Sequence, residues 1–314
     1  MDVHGGGNRL TWETLPGVVR RRIETLAGAR VVAASSADGG FSPGLASSIE
    51  LADGRTVFVK AIGEETGPGS ADLYRRERDN LRKLGPLRWG SRLLAHDDDD
   101  DWVILLFAHV AGRPPQPSDP AQLARVISAY DRLAAEFDPA PIDAPAVADA
   151  LGTRLDHWDS PSCRAGAAVD PWIAENLPLV RSLAADWRAA SRGAALVHGD
   201  LRVDNMLLTG EDVVIVDWTE VWTGAPWLDW ALAVPSICLF PGTPGPEELF
   251  RRAAVASTGA PRDVTAVIGA VTGYFLCGSV LPVIPALPTL RDFQRAQGLT
   301  AAQWLRERVS AGLL

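Results

Sequence analysis

The sequence predicts an α+β chain in two lobes, a small antiparallel β lobe followed by a larger and mainly helical one. Three observations carry this. The β-like runs crowd into the first third of the chain, around a single strongly helical segment. The stretch from Gly112 to Pro120 contains four prolines and reads as a connection between domains. From Ala121 onward helical patterns dominate, with one short β interlude near 206–217. A chain of 314 residues has material for about two domains, so the expected division is 1–110, including a connecting segment at its end, and 111–314.

The elements follow in order. A helix is expected over 13–27, with Pro16 in its first turn and Gly28 stopping it. Runs 30–34, 47–51 and 56–62 read as strands, the last two joined by Ala52, Asp53, Gly54 and Arg55 in a hairpin turn. Residues 71–84 are charged and helical, ended by Gly85 and Pro86. Two further strands, 91–95 and 102–107, flank the run Asp97–Asp101, whose five adjacent carboxylates read as a solvated hairpin tip. Helices are then expected near 121–137, 145–158, 171–191, 247–257, 263–281 and 300–312.

Composition narrows the function. Hydrophobic residues are 47% and charged residues 22%, the balance of a folded globular chain. A net charge of −9 provides no positive field for a phosphate polymer or an anionic membrane, so neither nucleic acid nor membrane is an expected partner. Residues 264–290 carry no charge, yet three glycines dilute the run and Pro282, Pro285 and Pro288 break its last third. It reads as a buried core helix ending near Leu281. Three widely spaced cysteines, with no CxxC pair, indicate neither a disulfide framework nor a zinc knuckle. Together with an N-terminal segment that lacks a signal-peptide pattern, they lead to the expectation of a cytoplasmic protein. Of the 30 basic residues only Lys60 and Lys83 are lysines. Lys83 reads as a surface cation.

The chemistry concentrates between 196 and 229. An apolar run delivers His198, Gly199 and Asp200 onto a loop, Asn205 follows five residues later, and a β-hairpin ends at Asp217. Singly, each is a common turn former. Together, two carboxylates and an amide on loops form a hard-oxygen set suited to Mg²⁺ and its nucleotide phosphates.

The pattern His198-Gly-Asp200-x4-Asn205, with the later Val216-Asp217-Trp218, resembles the catalytic loop and metal-binding Asp of the aminoglycoside phosphotransferase family, whose fold is protein-kinase-like. Gly224-Ala-Pro-Trp-Leu-Asp229 resembles the G-x-P-x-x-D that closes the family's motif. The resemblance implies Mg²⁺ and ATP, or GTP, as cofactors, with transfer of the γ-phosphate to a hydroxyl. It implies Asp200 as catalytic base, Asn205 and Asp217 as metal ligands, and His198 and Asp229 as braces for the loop. It requires a strand lysine and a helix glutamate upstream; Lys60 and Glu77 occupy those places in the order of elements. Nucleotide contacts are then expected from Ser42 and Gly44 in the loop before the lysine strand, and from Phe107, His109 and Val110 at the connection between lobes. The loop is not G-x-G-x-x-G, which weakens its individual contacts.

The acceptor is a small-molecule alcohol on this reading, commonly an antibiotic. A polycationic aminoglycoside favours a carboxylate-lined cleft, but residues 231–314 hold five acidic residues against seven arginines. A nucleoside-type antibiotic is therefore an equal expectation. Asp204, Trp218, Trp222 and Trp227 are candidate acceptor-side residues, the tryptophans with core packing as the competing explanation. Alternatives are a metabolic kinase acting on choline, homoserine or a sugar, and a catalytically silent nucleotide-binding regulator. A monomer or homodimer is expected.

Overall fold

The computed structural model describes residues 9–37, 43–66, 69–99, 101–210, 212–285 and 287–314. The chain opens with α1 (Gly17–Ala27), entered from Pro16 and closed by Gly28 in the left-handed region at φ 74°. Strands β1 (Val31–Ser36), β2 (Leu45–Leu51) and β3 (Thr56–Gly63) follow, then α2 (Ser70–Leu84), β4 (Leu93–Asp98) and β5 (Trp102–Ala108). These strands form one antiparallel sheet in the order β1-β2-β3-β5-β4. The 52–55 turn closes as expected, with the Leu51 amide donating to the Arg55 carbonyl at 2.8 Å and Gly54 at φ 84°.

The later elements are α3 (Pro120–Glu136), α4 (Val147–Leu151), α5 (Cys163–Ala167), α6 (Pro171–Glu175), α7 (Leu177–Ala184), α8 (Trp187–Ala190), β6 (Ala195–Val197), β7 (Met206–Thr209), β8 (Asp212–Ile215), β9 (Trp222–Gly224), α9 (Leu228–Ile237), α10 (Pro246–Arg251), α11 (Pro261–Ser279) and α12 (Leu290–Ser310). This is a small antiparallel β lobe flanked by helix and a larger, mostly helical lobe, the two-lobe kinase-like plan. By contacts the chain divides into two compact units, and the division is not a single cut. The described residues from Arg9 to Pro114 group with Asp204–Glu220, the segment of the β7–β8 hairpin, while Pro115–Val203 groups with Val221–Leu314.

In the β unit, one sheet face packs on α1: Val19 and Ile23 meet Leu45, Ile49, Val59 and Leu106 in a fully enclosed cluster. Each such side chain adds about 1.5–3 kcal/mol of burial, so this face fixes the sheet's register and sends alternate residues to the other side. In the helical unit, α11 is the buried core helix expected from its charge-free sequence. Its glycines mark close approaches: a Cβ on Gly273 would lie 2.7 Å from the Trp158 ring. No helix among the described residues is long and apolar enough to cross a membrane.

Several expectations need correction. The carboxylates of Asp97–Asp101 are not a solvated tip as a group. Asp97 and Asp98 lie within β4; Arg22 of α1 pairs with Asp97 and Asp99, and Arg75 and Arg78 of α2 pair with Asp98. The segment expected as one helix over 171–191 is three short ones, because Pro178 starts a new first turn and the chain resets again before Trp187. Residue Gly152 stops α4 early, so 145–158 holds one short helix and a 3₁₀ turn. Helix α12 begins ten residues before the expected 300, its first half disguised by the buried polar residues Gln294 and Gln297. Helix α9 was not expected, nor were β6 and β9 of three residues each.

Candidate active site

In the β unit, Val59 and Ala61 of β3 are fully buried, so the two-residue period turns Lys60 to the opposite sheet face. There its Nζ donates to Glu77 Oε2 at 2.7 Å and to Asp217 Oδ1 at 2.9 Å. The rings of Tyr74 and Phe107 stand 5.9 Å from the ammonium. Glu77 arrives on α2 within the stripe Ala71, Tyr74, Glu77 and Leu81, which is the buried face of an amphipathic helix. A carboxylate at a position patterned for an apolar side chain needs a cation. Burial pushes the Glu77 carboxyl upward, and the nearby Lys60 charge opposes that rise. Burial likewise works against the Lys60 ammonium, but Asp217 and Glu77 outweigh it and raise its pKa above the ordinary lysine value.

Asp217 sits just beyond the β7–β8 hairpin at φ 65°, the one non-glycine with positive φ among the described residues. Such a conformation costs an aspartate about 1–2 kcal/mol and clusters at functional sites. The Thr219 hydroxyl donates to the same Asp217 Oδ1 at 2.7 Å. Asn205 ends a 3₁₀ turn and is buried. Its carbonyl accepts the Val216 amide at 3.0 Å, which ties Asn205 to the residue preceding Asp217. An amide and a carboxylate, both hard oxygen donors, fit Mg²⁺ better than a softer metal. Among the described residues no group of three or more His, Cys, Asp or Glu gathers to hold a metal by itself. Asp204, adjacent in the same turn, is partly exposed.

The remaining nucleotide-side residues fall at strand ends. Gly44 immediately precedes β2, and a Cβ there would meet the Ala61 carbonyl at 2.7 Å and the Tyr74 hydroxyl at 2.8 Å. Ser42 lies outside the described residues. Phe107 is buried in β5, whereas His109 just beyond the strand is exposed and Val110 partly so.

In the helical unit, buried β6 pairs with β9 and leads into the loop bearing Asp200. Asp229, in the first turn of α9, accepts the backbone amides of His198 at 2.8 Å and Gly199 at 2.9 Å. One carboxylate thus holds two consecutive amides of the loop. Burial pushes Asp229 from an ordinary 3.8 up to about 6, with those two hydrogen bonds pulling the other way. Gly199 is at φ 82°, and a Cβ on it would come within 2.9 Å of the Trp222 ring. The His198 side chain is buried, with Nδ1 3.4 Å from the Asp200 amide. The Tyr130 hydroxyl donates to the Leu201 carbonyl. So braced, the Asp200 side chain remains 50% exposed, open to a reactant.

The tryptophans offer no acceptor face. Trp218, Trp222 and Trp227 are each at most 4% exposed, and Trp218 donates its indole N–H to the Ile215 carbonyl at 3.2 Å. Their apolar area is spent on packing. Three residues went unremarked in the sequence. Arg202 places Nε 3.4 Å from the Asp200 carboxylate, and Thr219 holds Asp217. Asn80 donates to the carbonyls of Trp218 at 2.9 Å and Thr219 at 3.1 Å. Its signal was available, since Asn80 lies three residues after Glu77 and therefore on the same side of α2.

The β unit thus pairs a strand lysine with a helix glutamate and a strained aspartate, and the helical unit braces a His-Gly-Asp loop of its own; a family model matches the chain that carries both. The model described as the phosphotransferase enzyme family, APH, covers residues 49–264. The chain belongs to that family. No curated protein matches it. Solved structures resemble it in fold. A choline kinase from Streptococcus pneumoniae aligns at TM-score 0.59 with 13% identity, over 94% of this chain and 98% of that one. A choline/ethanolamine kinase family protein from Mesorhizobium loti gives 0.59 and 16%, over 94% and 97%. A spectinomycin phosphotransferase in complex with ADP and spectinomycin gives 0.51 and 12%, over 92% and 93%.

Proposed function

We propose that this protein transfers the γ-phosphate of ATP or GTP, with Mg²⁺, to a hydroxyl of a small molecule, and that the acceptor is an antibiotic of nucleoside or aminoglycoside type. The observation that carries the reading is the contact of Lys60 with both Glu77 and Asp217. Two acids hold the lysine charged and aimed, which suits an ammonium that must meet donor phosphates.

The roles follow from phosphoryl-transfer chemistry, in which positioning and neutralisation of charge dominate. Lys60 fixes the donor phosphates, and Glu77 keeps it aimed. Asn205 and Asp217 would hold Mg²⁺, which when bound neutralises charge on the phosphate oxygens. Asp200 accepts a hydrogen bond from the acceptor hydroxyl and takes its proton late in the transfer. His198 and Asp229 preserve the loop's shape, and Arg202 biases the surroundings of Asp200 toward positive potential. Gly44, Phe107, His109 and Val110 are assigned to the nucleotide side. Asp204 is placed to support the metal ligand. The basic excess of residues 231–314 and the Arg202 charge favour a neutral acceptor over a polycation.

A metabolic acceptor is the second reading, because a choline kinase and a choline/ethanolamine kinase family protein share the fold. Choline calls for an exposed aromatic cage, and the buried tryptophans do not supply one. The test is incubation with Mg²⁺ and ATP or GTP against aminoglycoside, nucleoside and peptide antibiotics, with choline, ethanolamine, homoserine and sugars alongside. Mass spectrometry reads which acceptor gains one phosphoryl group. Phosphorylation of a metabolite alone replaces the antibiotic reading with the metabolic one.

A further inference from the structure

We infer that Asp98, through Arg75 and Arg78, is a positioning residue for Glu77 and hence for Lys60. The inference rests on the proposed role of Lys60 as the contact to nucleotide phosphates. Its basis lies wholly within the β unit.

Helix α2 presents Glu77 inward on a stripe whose only apolar members are Ala71, Tyr74 and Leu81. The middle of that buried face is a carboxylate, so apolar packing does little to fix the helix's rotation about its axis. Polar contacts on the neighbouring side supply the constraint. Arg75 and Arg78 are three residues apart and share one helix face. Asp98 receives both: Arg75 Nε reaches Oδ2 at 3.0 Å and Nη2 reaches Oδ1 at 3.0 Å, while Arg78 Nη1 reaches Oδ2 at 2.9 Å. Arg75 Nη1 also bonds Glu64 Oε1 at 2.7 Å, and Glu64 directly follows β3, the strand that carries Lys60. Helix α2 is therefore tied to β4 by Asp98, to the end of β3 by Glu64, and to Lys60 itself by Glu77.

The contact with Asp98 is of the strong kind. It is bidentate from Arg75 and charge-assisted from both arginines. The three side chains are only 17–23% exposed, unlike an open surface pair. A rotation that broke the Asp98 contacts would swing Glu77, two residues from Arg75 and one from Arg78, away from Lys60.

The test compares wild type, Asp98→Asn and Asp98→Glu in the full-length protein. Amide hydrogen exchange without nucleotide reads the clamp itself. In Asp98→Asn, residues 70–84 should exchange about tenfold faster while β2 and β3 stay protected. Unchanged exchange in α2 overturns the inference whatever the nucleotide does. Calorimetric titration with MgATP and MgGTP reads the coupling. Asp98→Asn should weaken binding about tenfold in the wild-type background, little in a Glu77→Gln background, and Asp98→Glu should restore part of it. Equal weakening in both backgrounds shows that Asp98 does not act through Glu77, and overturns the inference. Wild-type protein that binds neither nucleotide overturns the reading of Lys60 instead, while the exchange result still decides the clamp.

Discussion

At the residue scale the decisive group is Lys60, because burial and charge pull against each other there. The ammonium is 14% exposed beside a nearly inaccessible Glu77 and a less buried Asp217. Removing one partner of such a pair strands the other charge, a loss of about 3–5 kcal/mol. Lys60→Met should therefore lower the free energy of unfolding by about 3 kcal/mol, and adding Glu77→Gln should recover more than half of it. Urea titration of the single and double variants checks this; a double variant no more stable than the single contradicts it. Lys60→Arg should not replace the lysine, since a planar fork cannot meet Glu77, Asp217 and a phosphate through one compact donor. Its affinity for MgATP should fall about tenfold or more in calorimetry.

At the element scale the loop between β6 and β7 is held by α9. In Asp229 a pKa near 6 means that the folded protein binds this proton more tightly than the unfolded chain does, over the span from 3.8 upward. Unfolding there releases a proton, so this group's contribution to stability declines as pH rises from about 4 to about 6 and is level above. Asp229→Asn should flatten that part of the stability profile. It should also lower stability near pH 7 by about 1–2 kcal/mol, because a single carbonyl replaces the two carboxylate oxygens that accept the His198 and Gly199 amides. Denaturant midpoints across pH 4 to 7 for both proteins decide it; parallel profiles contradict the assignment. Gly199→Ala should disturb the loop more than its size suggests. Both φ and the Trp222 ring oppose the added methyl. Turnover in this variant should fall at least about tenfold, and the urea midpoint should drop by the equivalent of about 1–2 kcal/mol.

At the scale of the whole molecule, much of the plan was legible because it is written in periodicity and turn chemistry. Alternation placed β2 and β3, a continuous apolar run placed β5, and Gly28, Gly54 and Gly85 stopped elements where their sequence positions said they would. The HGD loop and the later Asp stood out in the sequence because so few residue types serve hard-oxygen chemistry; the structure ties the loop's amides to Asp229 and Asp217 to Lys60. What stayed hidden depends on partners far apart in sequence. The Asp97–Asp101 run looked solvated because its arginines lie on α1 and α2, not beside it. The clustered tryptophans looked available because nothing local reports burial. Strands β6 and β9, three residues each, are too short to show a period.

The central claim is that Asp200 handles the acceptor proton while other residues hold the nucleotide. It is tested most directly by comparing wild type and Asp200→Asn, with MgATP or MgGTP affinity measured by calorimetry and phosphoryl transfer to the identified acceptor measured by mass spectrometry. The account predicts turnover lower by about 10²–10⁴-fold with nucleotide affinity nearly unchanged. Turnover at the wild-type rate in Asp200→Asn would contradict it.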